Sequence, residues 1–114
     1  MAQGYKNLNV WQKSIKLVVL VYQLTKEFPS SEMYGITSQM RRCAISIPSN
    51  IAEGSKRKTN KDFKHFVSIA FGSGAELETQ IEICKQLKLG KNENYLEIDS
   101  LLLEVMKMLN SMVL

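Results

Sequence analysis

One pairing in this 114-residue chain has the spacing of a metal-binding helix. Asp62 and His65 stand as Asp-x-x-His, close to the Glu-x-x-His pattern that builds di-iron centres inside helix bundles. Such a centre needs a second copy of the motif, and His65 is the sole histidine. A surface histidine beside a capping aspartate is the simpler reading. Cys43 and Cys84 are far apart in sequence and form no Cys-x-x-Cys pair, so zinc lacks its ligands. Two reduced, buried thiols fit better. The glycines of "FGSG" have neither the spacing nor the preceding strand of a nucleophile elbow, and are too few for a phosphate loop. No catalytic residue, metal ligand or cofactor site is assembled, and the chain reads as a non-enzyme.

The chemistry that remains is electrostatic. Formal net charge is +4. From Arg41 to His65, seven basic residues (Arg41, Arg42, Lys56, Arg57, Lys58, Lys61 and Lys64) face only Glu53 and Asp62, a net of +5. The rest of the chain has eight basic and nine acidic residues, a net of −1. Lysines are mostly surface residues, so a solvated helix end accounts for the cluster at minimum. Its concentration also favours a polyanionic partner. Few aromatics interleave it, and Phe63 and Phe66 are assigned to the core. Contact with phosphates or with nucleic-acid shape is therefore expected over base reading.

Four helices and no strand must position these residues. The first is expected from Asn9 to Phe28, with Val10, Ser14, Ile15, Val18, Tyr22, Thr25 and Phe28 at helical spacing, Asn7 or Asn9 as its cap, and Pro29 as its stop. Its "LVVLVY" run makes it apolar nearly all round, the mark of a helix covered on more than one side. The second is expected from Ile36 to Glu53. Ile36, Met40, Cys43, Ala44, Ile47 and Ile51 form one stripe that keeps phase through Pro48. Pro48 should therefore kink a continuous helix, at a cost of ~3 kcal/mol, with Ser46 or Ser49 helping to satisfy the freed backbone. Gly54 supplies the stop.

The third helix opens on a box-like Thr59-x-x-Asp62. Its seam runs through Phe63, Phe66, Val67, Ala70, Gly74, Leu77, Ile81, Cys84 and Leu87 or Lys88, and Gly90 ends it. The small residues Gly72 to Ala75 predict close approach of a neighbouring helix. The fourth runs from Glu93 with Asn92 as cap. Leu96, Leu101, Leu102, Val105, Met106, Met108, Leu109 and Met112 fill it. Short connections make consecutive helices antiparallel, so residues 1–114 should form one all-α domain, an up-down-up-down four-helix bundle. Arg42, Ile45 and Ser49 fall on the far side of the second helix. Ile45 there, with the all-round apolar first helix, points to a subunit interface. Arg41 beside Glu76 and Glu78 leaves open either an inter-helix pair or solvated charges.

Composition agrees, with 45% hydrophobic and 23% charged residues. "MAQGYKNLNV" lacks the apolar core of a signal peptide, and the longest apolar run, Leu17 to Tyr22, cannot span a bilayer. A cytoplasmic location without membrane contact is expected.

Three segments, "YGITSQMRR", "SIPSNIAEG" and "GSGAELET", together with Val10 to Gln80 around them, closely resemble the 23S rRNA intervening-sequence proteins. The resemblance to the fourth helix is by position only. It implies a bacterial four-helix bundle assembled as a ring-shaped homopentamer, with no enzymatic activity. A related branch serves diversity-generating retroelements beside a reverse transcriptase and binds nucleic acid. A reverse-transcriptase partner is implied only for a member of that branch, to which the sequence does not assign this chain. The matching positions for contact with RNA or DNA are Arg41, Arg42, Arg57 and the neighbouring lysines. The competing reading is a structural or protein-interaction module whose basic rim meets an acidic protein surface.

Overall fold

The computed structural model describes residues 4–113, the Asn7 side chain excepted. It is all-α among these residues. A short 3-10 turn, Gly4–Asn7, leads into α1 (Asn9–Thr25); α2 (Ser38–Ser55), α3 (Asn60–Gln86) and α4 (Leu96–Val113) follow. Each helix packs on its two sequence neighbours, and α4 returns to α1, closing an up-down-up-down bundle. The longest dimension is 43 Å, close to the length of the 27-residue α3.

The α2 stripe forms as its spacing predicts. Met40, Ala44, Ile47 and Ile51 are fully buried, and the helix runs without interruption through a buried Pro48. Pro48 frees the Ala44 carbonyl; the Asn50 side-chain amide donates instead to the Ser46 carbonyl at 2.8 Å and to the Ser46 hydroxyl at 2.9 Å. The Ser46 hydroxyl is shared with Ser73 of α3 at 2.8 Å, so it ties two helices together. α2 begins later than its stripe suggests. Met33–Thr37 is a wide turn with Gly35 at φ −112°, ψ −115°, which places Ile36 outside the helix.

In α1 the periodicity had two solutions. Val10, Ser14, Leu17, Val21, Leu24 and Thr25 are buried, whereas Ile15 and Tyr22 from the expected stripe are over one-third exposed. An all-round apolar helix carries no phase information, so its orientation is set by the rest of the bundle. The helix stops at Thr25. Glu27 and Phe28 close the last turn by i−3 bonds, and Phe28 still buries its ring.

The expected caps are corrected at the starts of α1 and α4. Leu8 holds the α1 N-cap position and makes no side-chain cap; Asn9 is the first helical residue and the Asn7 side chain lies outside the described residues. Asn92 opens a 3-10 turn, Asn92–Tyr95, and caps nothing. Thr59 does cap α3, accepting from the Asp62 N–H at 3.1 Å.

Two glycines expected as helix stops do not end their helices. Gly54 lies within the last turn of α2, where an added Cβ would sit 3.0 Å from Phe66 Cβ and 3.2 Å from the Phe63 carbonyl oxygen. It marks the closest approach of α2 and α3. α3 is ended by Lys88, two residues before Gly90. Leu89 N–H bonds the Cys84 carbonyl at 3.0 Å and Lys88 N–H bonds the Lys85 carbonyl at 3.1 Å, a Schellman turn with Lys88 at φ 58°. A Cβ-bearing residue is strained there. Lys88→Gly should therefore stabilise the bundle by about 1 kcal/mol in urea unfolding. An unchanged midpoint would mean that the turn holds no strain.

Close approach in the small-residue stretch occurs at Gly74. Its missing Cβ makes room for the Met106 thioether of α4, whose sulfur overlaps the place that atom would take.

Candidate nucleic-acid interface

The antiparallel topology sorts the seven expected contact residues into two groups. Lys56 follows the last turn of α2, Arg57 and Lys58 form the connection, and Lys61 and Lys64 lie in the first turns of α3. All five share one end of the bundle. Arg41 and Arg42 are in the first turn of α2, fifteen residues from Lys56, or about 22 Å along the helix. The continuous patch expected from sequence is thus divided.

Arg41 is largely engaged within the bundle. It is half-buried, its Nε donates to Thr25 Oγ1 at 2.9 Å, and its guanidinium lies 4.4 Å over the Tyr22 ring. It therefore bonds toward α1. The acid opposite is otherwise occupied: the Cys43 thiol lies 3.6 Å from Glu76 Oε2. Among the described residues there is no Arg41–Glu pair between α2 and α3. Arg42 is exposed on the far side of α2, beside Ile45.

At the basic end the cations differ in freedom. Arg57 pairs with Glu53, one helical turn earlier, and stacks 4.7 Å over Phe66. Phe66 is therefore half-buried under a guanidinium, not enclosed in the core. Lys56, Lys58 and Lys61 are exposed; Lys64 is half-buried. Folding adds a cation that sequence spacing missed. The 3-10 turn before α1 reaches the end of α2, and Lys56 Nζ lies 5.7 Å from the Tyr5 ring, next to Lys6. In an up-down bundle the start of α1 and the end of α2 must share an end, and that was the available signal. Six basic residues there (Lys6, Lys56, Arg57, Lys58, Lys61, Lys64) face Glu53 and Asp62, a net of +4. At the opposite end Lys26, Arg41, Arg42, Lys88 and Lys91 are mixed with Glu27, Glu32 and Glu93, and Arg41 is engaged with Thr25 and Tyr22.

The N-terminus of α3 adds to this field. Its dipole is positive there, and its first-turn N–H groups face out of the bundle end, with only that of Asp62 bonded to the Thr59 side chain. Charge and backbone donors together suit a phosphate.

The remaining candidates carry no assembled chemistry. His65 is exposed and edge-on to Phe66 at 5.4 Å. No cluster of three or more His, Cys, Asp or Glu residues among those described could hold a metal. Cys84 is fully buried against Met40, with 3.4 Å between sulfurs, and burial pushes its thiol up to about 11. Cys43 is half-buried. Burial raises its pKa, with Gln80 opposing and Glu76 reinforcing. Both are thiols, not thiolates, at neutral pH. No helix among the described residues is long and apolar enough to cross a membrane.

Fold and site together define a small, basic-ended, antiparallel four-helix bundle. Residues 6–111 match the model of the 23S rRNA-intervening sequence protein family, and the chain belongs to that family. The fold is also that of a Bacteroides thetaiotaomicron protein of unknown function from the S23 ribosomal protein family. The TM-score is 0.81 at 24% identity, over 91% of this chain and 97% of that one. Among curated proteins none matches the chain.

Proposed function

We propose that this protein is a non-enzymatic oligomer that binds RNA or DNA through the phosphates, using the basic end of each bundle. The observation that carries this reading is the gathering of Lys6, Lys56, Lys58, Lys61 and Lys64 around the α3 N-terminus. Like charges beside a positive dipole end disfavour the folded state. A phosphate bound there removes that repulsion. Family membership fits a setting in ribosomal RNA genes, and the relative named for the S23 ribosomal protein family fits the same direction.

Filter binding of structured RNA and of duplex DNA, from low to physiological salt, tests this. Binding should be weak per subunit and should fall steeply with salt, by roughly 0.9 in log K per log salt for each phosphate neutralised on a duplex. Absence of binding to both at low salt would turn the basic end toward an acidic protein surface instead.

Oligomerisation, a pentamer by family resemblance, is supported by an unpartnered apolar face. Ile15, Val19 and Tyr22 of α1 and Ile45 of α2 are 38–49% exposed side by side along the α1/α2 seam, whose outer face has a further groove at Tyr22, Met33 and Ile45. Contiguous apolar patches of this kind are uncommon on monomers. Sedimentation equilibrium at micromolar concentration should give a multimer, and a stable folded monomer would contradict it.

A further inference from the structure

We propose that Tyr5 and Trp11, beneath Lys56, form a stacking site for an unpaired base at the edge of the basic end. This rests on the nucleic-acid reading and adds a substrate class to it, single-stranded or looped nucleic acid over continuous duplex. Along the sequence, Phe63 and Phe66 are the only aromatics near the basic cluster. Folding supplies two others from some fifty residues away. The 3-10 turn at Gly4–Asn7 lays Tyr5 against Trp11, edge to face, with ring centroids 5.3 Å apart at 65°. Both rings are half-buried, and Lys56 Nζ lies 5.7 Å from the Tyr5 centroid.

The rings open into a groove of about 300 Å³ between α1 and α2. Ile15, Ile45 and Pro48 form an apolar floor, and Ser49 adds a hydroxyl at its side. The chemistry matches one nucleotide. A base has a π-face for an aromatic edge or plane, while its phosphate needs a cation a few ångströms away. Bases within a duplex are already stacked and present no free face, so the groove discriminates by strandedness.

A second copy of the chain is the competing occupant, because Ile15 and Ile45 also belong to the apolar α1/α2 face. The Tyr5–Trp11 end of the groove differs from the rest in having Lys56 over it. An apolar partner there would strip water from that ammonium without compensation. A phosphate pairs with it.

Trp11 is the sole tryptophan, so its emission reports on this groove directly. The probes are an oligouridylate of about 12 nucleotides and a blunt RNA duplex of similar length, titrated at low salt and followed in parallel by filter binding. The single strand should quench Trp11 emission along the same isotherm as its binding. Trp11→Ala should weaken single-strand binding about tenfold and duplex binding less than twofold, with Trp11→Phe retaining most of the affinity. The quenching is measured on the parent protein, so the test does not depend on either variant folding. Salt-sensitive binding of both probes without any change in emission would overturn the stacking site and leave the phosphate reading intact. Emission that follows protein concentration and ignores both probes would assign the groove to a second copy. Failure of both nucleic acids to bind at all would overturn the phosphate reading, and the stacking site with it.

Discussion

Changing Lys56, Lys58 and Lys61 together to glutamate should lower affinity for RNA at least ~100-fold at low salt, and should reduce the salt slope by about 2–3 units. Arg57, though also exposed, is left in place because it is tied to Glu53 and Phe66 and its loss would also disturb packing. Lys61→Glu alone should be more stable than the parent, whereas Lys56 at the C-terminal end of α2 is favourably placed as a cation. Lys61 is the second residue of α3, and a carboxylate there favours the dipole by roughly 0.3–1 kcal/mol, where the lysine opposes it. Opposite signs for binding and stability at Lys61 separate a functional cluster from an incidental one. A variant that binds as the parent does would remove the patch from the account, as would one that loses binding only because it unfolds.

The second large effect concerns the helix contact beneath that patch. Gly54→Val should destabilise the bundle by about 3 kcal/mol, because the new side chain must displace both Phe66 and the backbone carbonyl of Phe63. That shift lowers the melting midpoint by roughly 10 °C or more in a domain of this size. Gly72 supplies the contrast. It is exposed, and a methyl group added there would meet nothing within 4 Å, so Gly72→Ala should gain up to about 1 kcal/mol from helix propensity alone. Gly74→Ala falls between them, since the atom in its way is the flexible Met106 thioether. Thermal unfolding of the three variants gives the ranking. Equal effects at Gly54 and Gly72 would show that α2 and α3 do not meet closely at Gly54.

The helices were legible wherever one face was polar. The α2 stripe predicted both its buried residues and its passage through Pro48, because Met40, Ala44, Ile47 and Ile51 alternate with charged and hydroxylic residues. α1 was legible as a helix but not in its orientation, since Ile15, Val18 and Tyr22 compete with Leu17, Val21 and Leu24 for the core on equal hydrophobic terms. Glycine roles were misread where a local signal and a tertiary one coincide. Gly54 follows Glu53 as a stop would, yet its reason lies on another helix. Lys88 in left-handed geometry was invisible, because lysine has no preference for it.

The basic residues from Lys56 to Lys64 were gathered as expected, since they lie in one connection and the turns beside it. Arg41 and Arg42 were grouped with them on sequence proximity, and the rise of α2 carries them away. Lys6, Tyr5 and Trp11 were missed for the opposite reason, being distant in sequence and adjacent only through the topology.

Lysine footprinting with an amine-reactive reagent, with and without structured RNA at low salt, tests the central claim most directly. It locates the contact without altering the protein's sequence. Lys6, Lys56, Lys58 and Lys61 should be protected on adding RNA, while the equally exposed Lys26, Lys88 and Lys91 at the opposite end keep their reactivity. Protection confined to Lys26, Lys88 and Lys91, or spread evenly over both ends, would contradict a nucleic-acid interface at the basic end of the bundle.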